Sequence, residues 1–132
     1  MRILLADDQP RVRFALRTLL ERQPGLEVVG EAHSGQDLRD QIDPAQPDLV
    51  LLDWELPGER ALDTLSSLRT TYPTLRVIAL SGRSEARQAA LQAGVDAFVS
   101  KSDPPERLLS AIRDAGPRAR NARRAYGANK SC

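Results

Sequence analysis

The sequence has one cysteine, Cys132, and one histidine, His33. A single thiol builds neither a disulfide framework nor a thiolate metal site, and a single imidazole excludes a histidine-rich one. A Ser-His-Asp hydrolase would have to recruit His33, and no nucleophile-elbow motif supports that. Neither G-x-G-x-x-G nor a P-loop is present, which disfavours dinucleotide and nucleotide binding. Lysine is scarce, with Lys101 and Lys130 set against 17 arginines. No apolar run approaches the roughly 20 residues that cross a bilayer. The opening stretch Ile3-Leu4-Leu5-Ala6 is too short for a signal-peptide core and no cleavage site follows it, so a cytoplasmic location and no membrane partner are expected.

What is present suits one globular domain. The chain has 132 residues, 41% hydrophobic and 28% charged, enough to bury a core. The net charge of +1 is unevenly placed. Residues 117–132 hold Arg118, Arg120, Arg123, Arg124 and Lys130 with no acid, while residues 1–116 carry 14 positive against 18 negative charges, a net of −4. The expected organisation is therefore a domain over 1–116 and a basic tail over 117–132. The tail reads best as a solvated, disordered end. It also reads as the start of a linker, and least well as a nucleic-acid contact, because Tyr126 is its one aromatic platform.

Short apolar runs alternate with amphipathic stretches. The runs are Ile3 to Ala6, Leu26 to Val29, Leu49 to Leu52, Val77 to Leu80, and Ala97 to Val99. Continuous runs, rather than strict alternation, suit strands covered on both faces. Between them, helical faces are marked by Val12, Leu16, Leu19 and Leu20; by Leu62, Leu65 and Leu68; by Ala86, Ala89, Ala90 and Ala93; and by Leu108, Ile112 and Ala115. A second helix is expected near Gly35 to Ile42, capped by Ser34 and stopped by Asp43-Pro44. Gly94 sits where a helix C-terminus belongs, and Gly116-Pro117 should end the last helix. Five β-α units predict an α/β fold, a parallel sheet with helices on both faces.

In such sheets ligands bind beyond the C-terminal ends of the strands. The first strand ends in Asp7-Asp8, the third in Asp53, the fourth in Ser81-Gly82 and the fifth in Ser100-Lys101. Taken singly, each has an ordinary reading as a helix cap, a turn or a solvated charge. Together, at four strand ends of one sheet, they favour a site. Unit charges about 4 Å apart repel by roughly 4 kcal/mol at an effective dielectric near 20, so three carboxylates call for a proton or a cation among them. All-oxygen ligands favour a hard ion such as Mg²⁺. A metal with a lysine and a hydroxyl nearby is suited to neutralising a phosphoryl group, and a carboxylate can itself be the nucleophile.

These residues resemble the receiver domains of bacterial response regulators, over residues 1 to about 116. The matching pieces are Ile3-Leu4-Leu5-Ala6-Asp7-Asp8, Leu49 to Gly58 through Asp53-Trp54-Glu55-Leu56-Pro57, Val77 to Gly82, and Ala93 to Lys101. The resemblance implies a flavodoxin-like, doubly wound five-stranded sheet in the order 2-1-3-4-5 with five helices. It implies Asp53 as phosphoacceptor, with Mg²⁺ held by Asp7, Asp8, Asp53 and the Glu55 backbone carbonyl. Ser81, Gly82 and Lys101 would contact the phosphoryl group, and Ser81 with Phe98 would form the switch. A sensor histidine kinase is the implied donor. The face of helix four, strand five and helix five would serve a homodimer or an output partner. Lys101 to Leu109 looks most like the subclass that usually carries a LuxR-type helix-turn-helix, so DNA would be reached only through a missing or separate output domain. Phosphoryl transfer would be stoichiometric, not enzymatic turnover.

Two departures stand out against the family pattern. Ser102 follows Lys101 where proline is common, and a trans bond is expected because a non-proline cis bond costs about 2.5–4 kcal/mol. Ala61 stands where glycine is common, with an altered start to the third helix expected. Glu55 and Arg83, each two residues past a site residue, suggest equally an ion pair that shields the phosphoryl group or two exposed charges with no role. The rival functions are a phosphorylation-independent pseudo-receiver, whose usual mark is a lost site residue, and a Mg²⁺-dependent phosphatase, which would show Asp-x-Asp on its first strand. None of the site residues is lost, and Asp7 and Asp8 are adjacent.

Overall fold

The computed structural model describes residues 1–115, and the basic tail and the Gly116-Pro117 helix stop lie outside the described residues. The elements alternate as β1 (Arg2–Ala6), α1 (Pro10–Glu21), β2 (Glu27–Ala32), α2 (Gly35–Ala45), β3 (Leu49–Asp53), α3 (Ala61–Thr71), β4 (Arg76–Ser81), α4 (Ala86–Ala93) and β5 (Ala97–Ser100). A fifth helix, α5, covers 105–115. All five strands are parallel and lie in the order β2-β1-β3-β4-β5, as expected from the resemblance.

The two-residue period of a strand divides each apolar run between two cores. Leu4, Ala6, Val50, Leu52, Val77, Ala79 and Phe98 share one cluster with Leu38, Ile42, Leu65, Leu68 and Ala90, from α2, α3 and α4. Ile3, Leu5, Leu49, Leu51, Ile78, Leu80 and Val99 share the other with Leu20, Leu108 and Ile112, from α1 and α5. Every residue of β3 is buried, which explains why its run shows no polar alternation.

Register places the site. Ala6 lies opposite Leu52, Asp53 opposite Leu80, and Ser81 opposite Ser100. Asp7 therefore leaves β1 level with Asp53, and Lys101 leaves β5 one step beyond Ser81.

Several local expectations changed. Helix α2 continues through Pro44 to Ala45 instead of stopping at Ile42. A proline in the last turn removes one helical donor, and the chain then turns at Gln46, whose φ of 49° is left-handed and whose N–H reaches the Ile42 carbonyl at 2.8 Å. The Ser34 cap forms as expected, its Oγ accepting from the Asp37 N–H at 3.1 Å. Gly94 ends α4 at φ 105°. In α3 the buried face is Ala61, Thr64, Leu65 and Leu68, and Leu62 is 48% exposed, because it falls outside the arc that faces the sheet. Ala61 is simply the first helical residue. Along α1, Phe14 is 73% exposed. No described helix is long and apolar enough to cross a membrane.

Candidate functional site

Asp7, Asp8 and Asp53 come together at the C-terminal edge of β1 and β3, with one carboxylate oxygen from each lying within 4.8 Å of the others. Asp7 and Asp53 are buried and Asp8 is exposed, so the cluster is a recess open on one side. Backbone donors orient the buried pair. The Gln9 N–H reaches Asp7 Oδ1 at 2.8 Å, and the Glu55 N–H reaches Asp53 Oδ1 at 3.0 Å.

Lys101 closes the recess from β5. Its Nζ lies 2.7 Å from Asp7 Oδ2 and 3.4 Å from Asp53 Oδ2. Asp7 Oδ2 meets this ammonium as a buried ion pair. Burial pushes the Asp53 carboxyl above its usual range, and the Asp7 charge adds to this, against the Glu55 N–H and Lys101. Burial alone would lower the Lys101 ammonium, but hydrogen bonding and charge from Asp7 and Asp53 raise it on balance. One ammonium thus leaves the pocket short of positive charge. Three convergent carboxylates, two of them buried, set against one ammonium fit a hard divalent cation.

Ser81 is fully buried at the end of β4. Its hydroxyl is shared between Glu55 Oε1 and Oε2 at 2.9 and 2.8 Å, and its Oγ accepts the Arg83 N–H at 3.0 Å. The expected Glu55–Arg83 ion pair is absent. Arg83 Nε pairs with Glu85 at 3.1 Å, and Glu55 turns back to the serine. Gly82 is exposed, and a Cβ built on it would meet nothing within 4 Å, so the approach beside Ser81 is open without glycine being required for packing. Phe98 is buried in the core cluster, with the Arg87 guanidinium 5.8 Å above its ring. The Lys101–Ser102 bond is trans, as expected, since no described peptide bond is cis. The loop after β5 is held by Asp103, which accepts the Ser100 N–H at 3.1 Å.

Two supports were missed in the sequence. Arg13 donates to the Asp7 carbonyl at 2.6 Å and pairs with Glu31 at 3.0 Å, tying α1 to the strand end. The bond from Ser81 to the Glu55 carboxylate is the other: Glu55 was singled out in the sequence, but with Arg83 as its partner, and only register brings Ser81 near it, since Asp53 lies opposite Leu80 and the chain beyond each strand end leads to Glu55 and Ser81.

The architecture and the site together define a doubly wound α/β domain with a carboxylate cluster and a lysine at the strand ends. Residues 3–113 match the family described as response regulator receiver domain, and the chain belongs to it. Among curated proteins it is 36% identical over 115 residues to the nitrate/nitrite response regulator protein NarL of Escherichia coli (strain K12), covering 86% of this chain and 53% of that protein. It is 42% identical over 117 residues to the transcriptional activator protein ExaE of Pseudomonas putida, covering 86% and 54%. The chain thus spans about half the length of the curated relatives it matches. Among solved structures, a LuxR-family two-component response regulator from Aurantimonas sp. SI85-9A1 superposes with a TM-score of 0.79 at 33% identity, covering 86% of this chain and 82% of that one. These relatives support the LuxR-type subclass expected from the sequence.

Proposed function

We propose that this receiver domain accepts a phosphoryl group on Asp53, from a phosphohistidine of a sensor kinase or from a small donor such as acetyl phosphate. The observation that carries the reading is the buried Asp53, with Asp7 and Asp8 from the end of β1 and Lys101 from the end of β5 converging on it. Asp7, Asp8, Asp53 and the Glu55 carbonyl would hold Mg²⁺. When bound, Mg²⁺ supplies positive charge that offsets the carboxylates and the phosphoryl oxygens.

The Asp53 carboxylate attacks phosphorus, an O–P bond forms, and the P–N bond to the donor imidazole breaks with its electron pair returning to nitrogen. Burial sets Asp53 out of bulk water, and the Glu55 N–H on Oδ1 fixes its orientation. Lys101 pairs with the incoming phosphoryl oxygens in place of its present carboxylate partners. Ser81 supplies a hydroxyl on the β4 side, and its movement draws Phe98 with it. This biases the face of α4, β5 and α5 between two arrangements. Arg87, Phe98, Asp103 and Arg107 line a concave surface there, offering mixed charge to a second copy or to an output partner. Transfer is stoichiometric, and hydrolysis of the acyl phosphate resets the domain. In the whole protein this regulates transcription in the cytoplasm, directly or through a partner.

Intact mass after incubation with Mg²⁺ and acetyl phosphate tests the reading. One added phosphoryl group on the wild type, prevented by chelating Mg²⁺ beforehand, is the expected result. No adduct, while Trp54 fluorescence still reports Mg²⁺ binding, would favour an interaction module independent of phosphorylation.

A further inference from the structure

We infer that Glu55 is a latch that holds the Ser81 hydroxyl away from the phosphoacceptor and so sets how strongly the domain resists activation. This deepens the proposed function and rests on it. Ser81 Oγ makes two kinds of hydrogen bond, donating to the Glu55 carboxylate at 2.8–2.9 Å and accepting from the Arg83 N–H at 3.0 Å. A hydroxyl has one proton to donate. While that proton lies on Glu55, it is not available to a phosphoryl oxygen on Asp53. Hydrogen bonds to an ionised acceptor are about twice as strong as neutral ones, so Glu55 is a serious competitor.

Glu55 is exposed in the β3–α3 loop, and its charge complement in the sequence is Arg83 of the β4–α4 loop. It engages the serine instead, while Arg83 pairs with Glu85. The same hydroxyl steadies the start of the β4–α4 loop through the Arg83 N–H, so the latch also ties that loop to the β3–α3 loop.

Glu55 is exposed, so truncating it leaves the core intact. The test has two arms. In the first, Trp54 fluorescence follows titration with beryllofluoride at fixed Mg²⁺ for wild type, Glu55→Ala, Ser81→Ala and the double variant. Glu55→Ala is expected to bind about tenfold more tightly, the factor equivalent to about 1.4 kcal/mol, with no gain in the Ser81→Ala background. Glu55→Gln, which keeps an acceptor and loses the charge, should fall between wild type and Glu55→Ala. An equal gain with and without Ser81 would show that Glu55 acts only by charge repulsion and overturn the latch. In the second arm, hydrogen exchange is measured on the metal-free, unphosphorylated protein. The Arg83 amide should exchange about tenfold faster in Glu55→Ala, and unchanged exchange would overturn the latch. If the wild type takes up no beryllofluoride, the phosphoacceptor reading fails, while the Arg83 amide still decides whether the latch exists.

Discussion

The two halves of the strand-end edge are built on opposite principles. At β1 and β3, Asp7 and Asp53 are fixed by backbone donors and crowd like charges into a buried space with one ammonium. At β4 and β5, Ser81 and Phe98 are neutral, and the serine has its hydrogen-bonding satisfied by Glu55 and Arg83. The first half stores unbalanced charge in a rigid frame, since rotation of either carboxylate would cost a backbone hydrogen bond. The second half stores an alternative, since a serine hydroxyl rotates about one bond and can exchange one acceptor for another. A receiver needs both: a place where added charge is compensated, and a group free to report it.

The largest way to break this comparison is to remove the one ammonium that the described residues bring to the carboxylate cluster. Lys101→Ala should lower phosphorylation by acetyl phosphate roughly 100-fold, the scale of losing a charge-assisted contact worth about 2–3 kcal/mol, as read by the rate of adduct formation. Next, Mg²⁺ at about 100 times its dissociation constant should raise stability by about 2.7 kcal/mol, measured by thermal unfolding, and Asp8→Asn should remove most of that gain. In metal-free protein, Asp53→Asn should stabilise the fold at neutral pH by on the order of 1 kcal/mol, because burial disfavours the charged form. The sign follows from the raised carboxyl. Between the ordinary carboxylate range and the raised folded value, the native state binds more protons than the unfolded chain. The wild-type cost therefore appears as pH rises through that window and fades as pH falls below it, and denaturant midpoints across pH measure it. The smallest effect belongs to a position outside both halves. Phe14→Ser, on the exposed face of α1, should change stability by less than about 0.5 kcal/mol.

Much of this was legible in the sequence for a physical reason. Parallel strands buried on both faces need uninterrupted apolar residues, so the runs at Ile3, Leu49, Val77 and Ala97 mark their own ends, and each end leads to a polar residue at the same edge. Asp7, Asp53, Ser81 and Lys101 follow from that rule. Helix limits were less legible, since a proline in a last turn costs little, and α2 runs through Pro44. Leu62 shows that apolar spacing alone does not say which arc meets the sheet. The Glu55 side chain was least legible. Its charge complement in sequence is Arg83, but its partner in space is Ser81, and only strand register separates the two.

The central claim is that Asp53 itself carries the phosphoryl group. Borohydride reduction after reaction with Mg²⁺ and acetyl phosphate, followed by peptide mass mapping, tests it most directly, because an aspartyl acyl phosphate is reduced to homoserine. The account predicts homoserine at position 53 of the wild type and none in Asp53→Asn. Homoserine at Asp7 or Asp8, or a stable adduct that resists reduction, would contradict it.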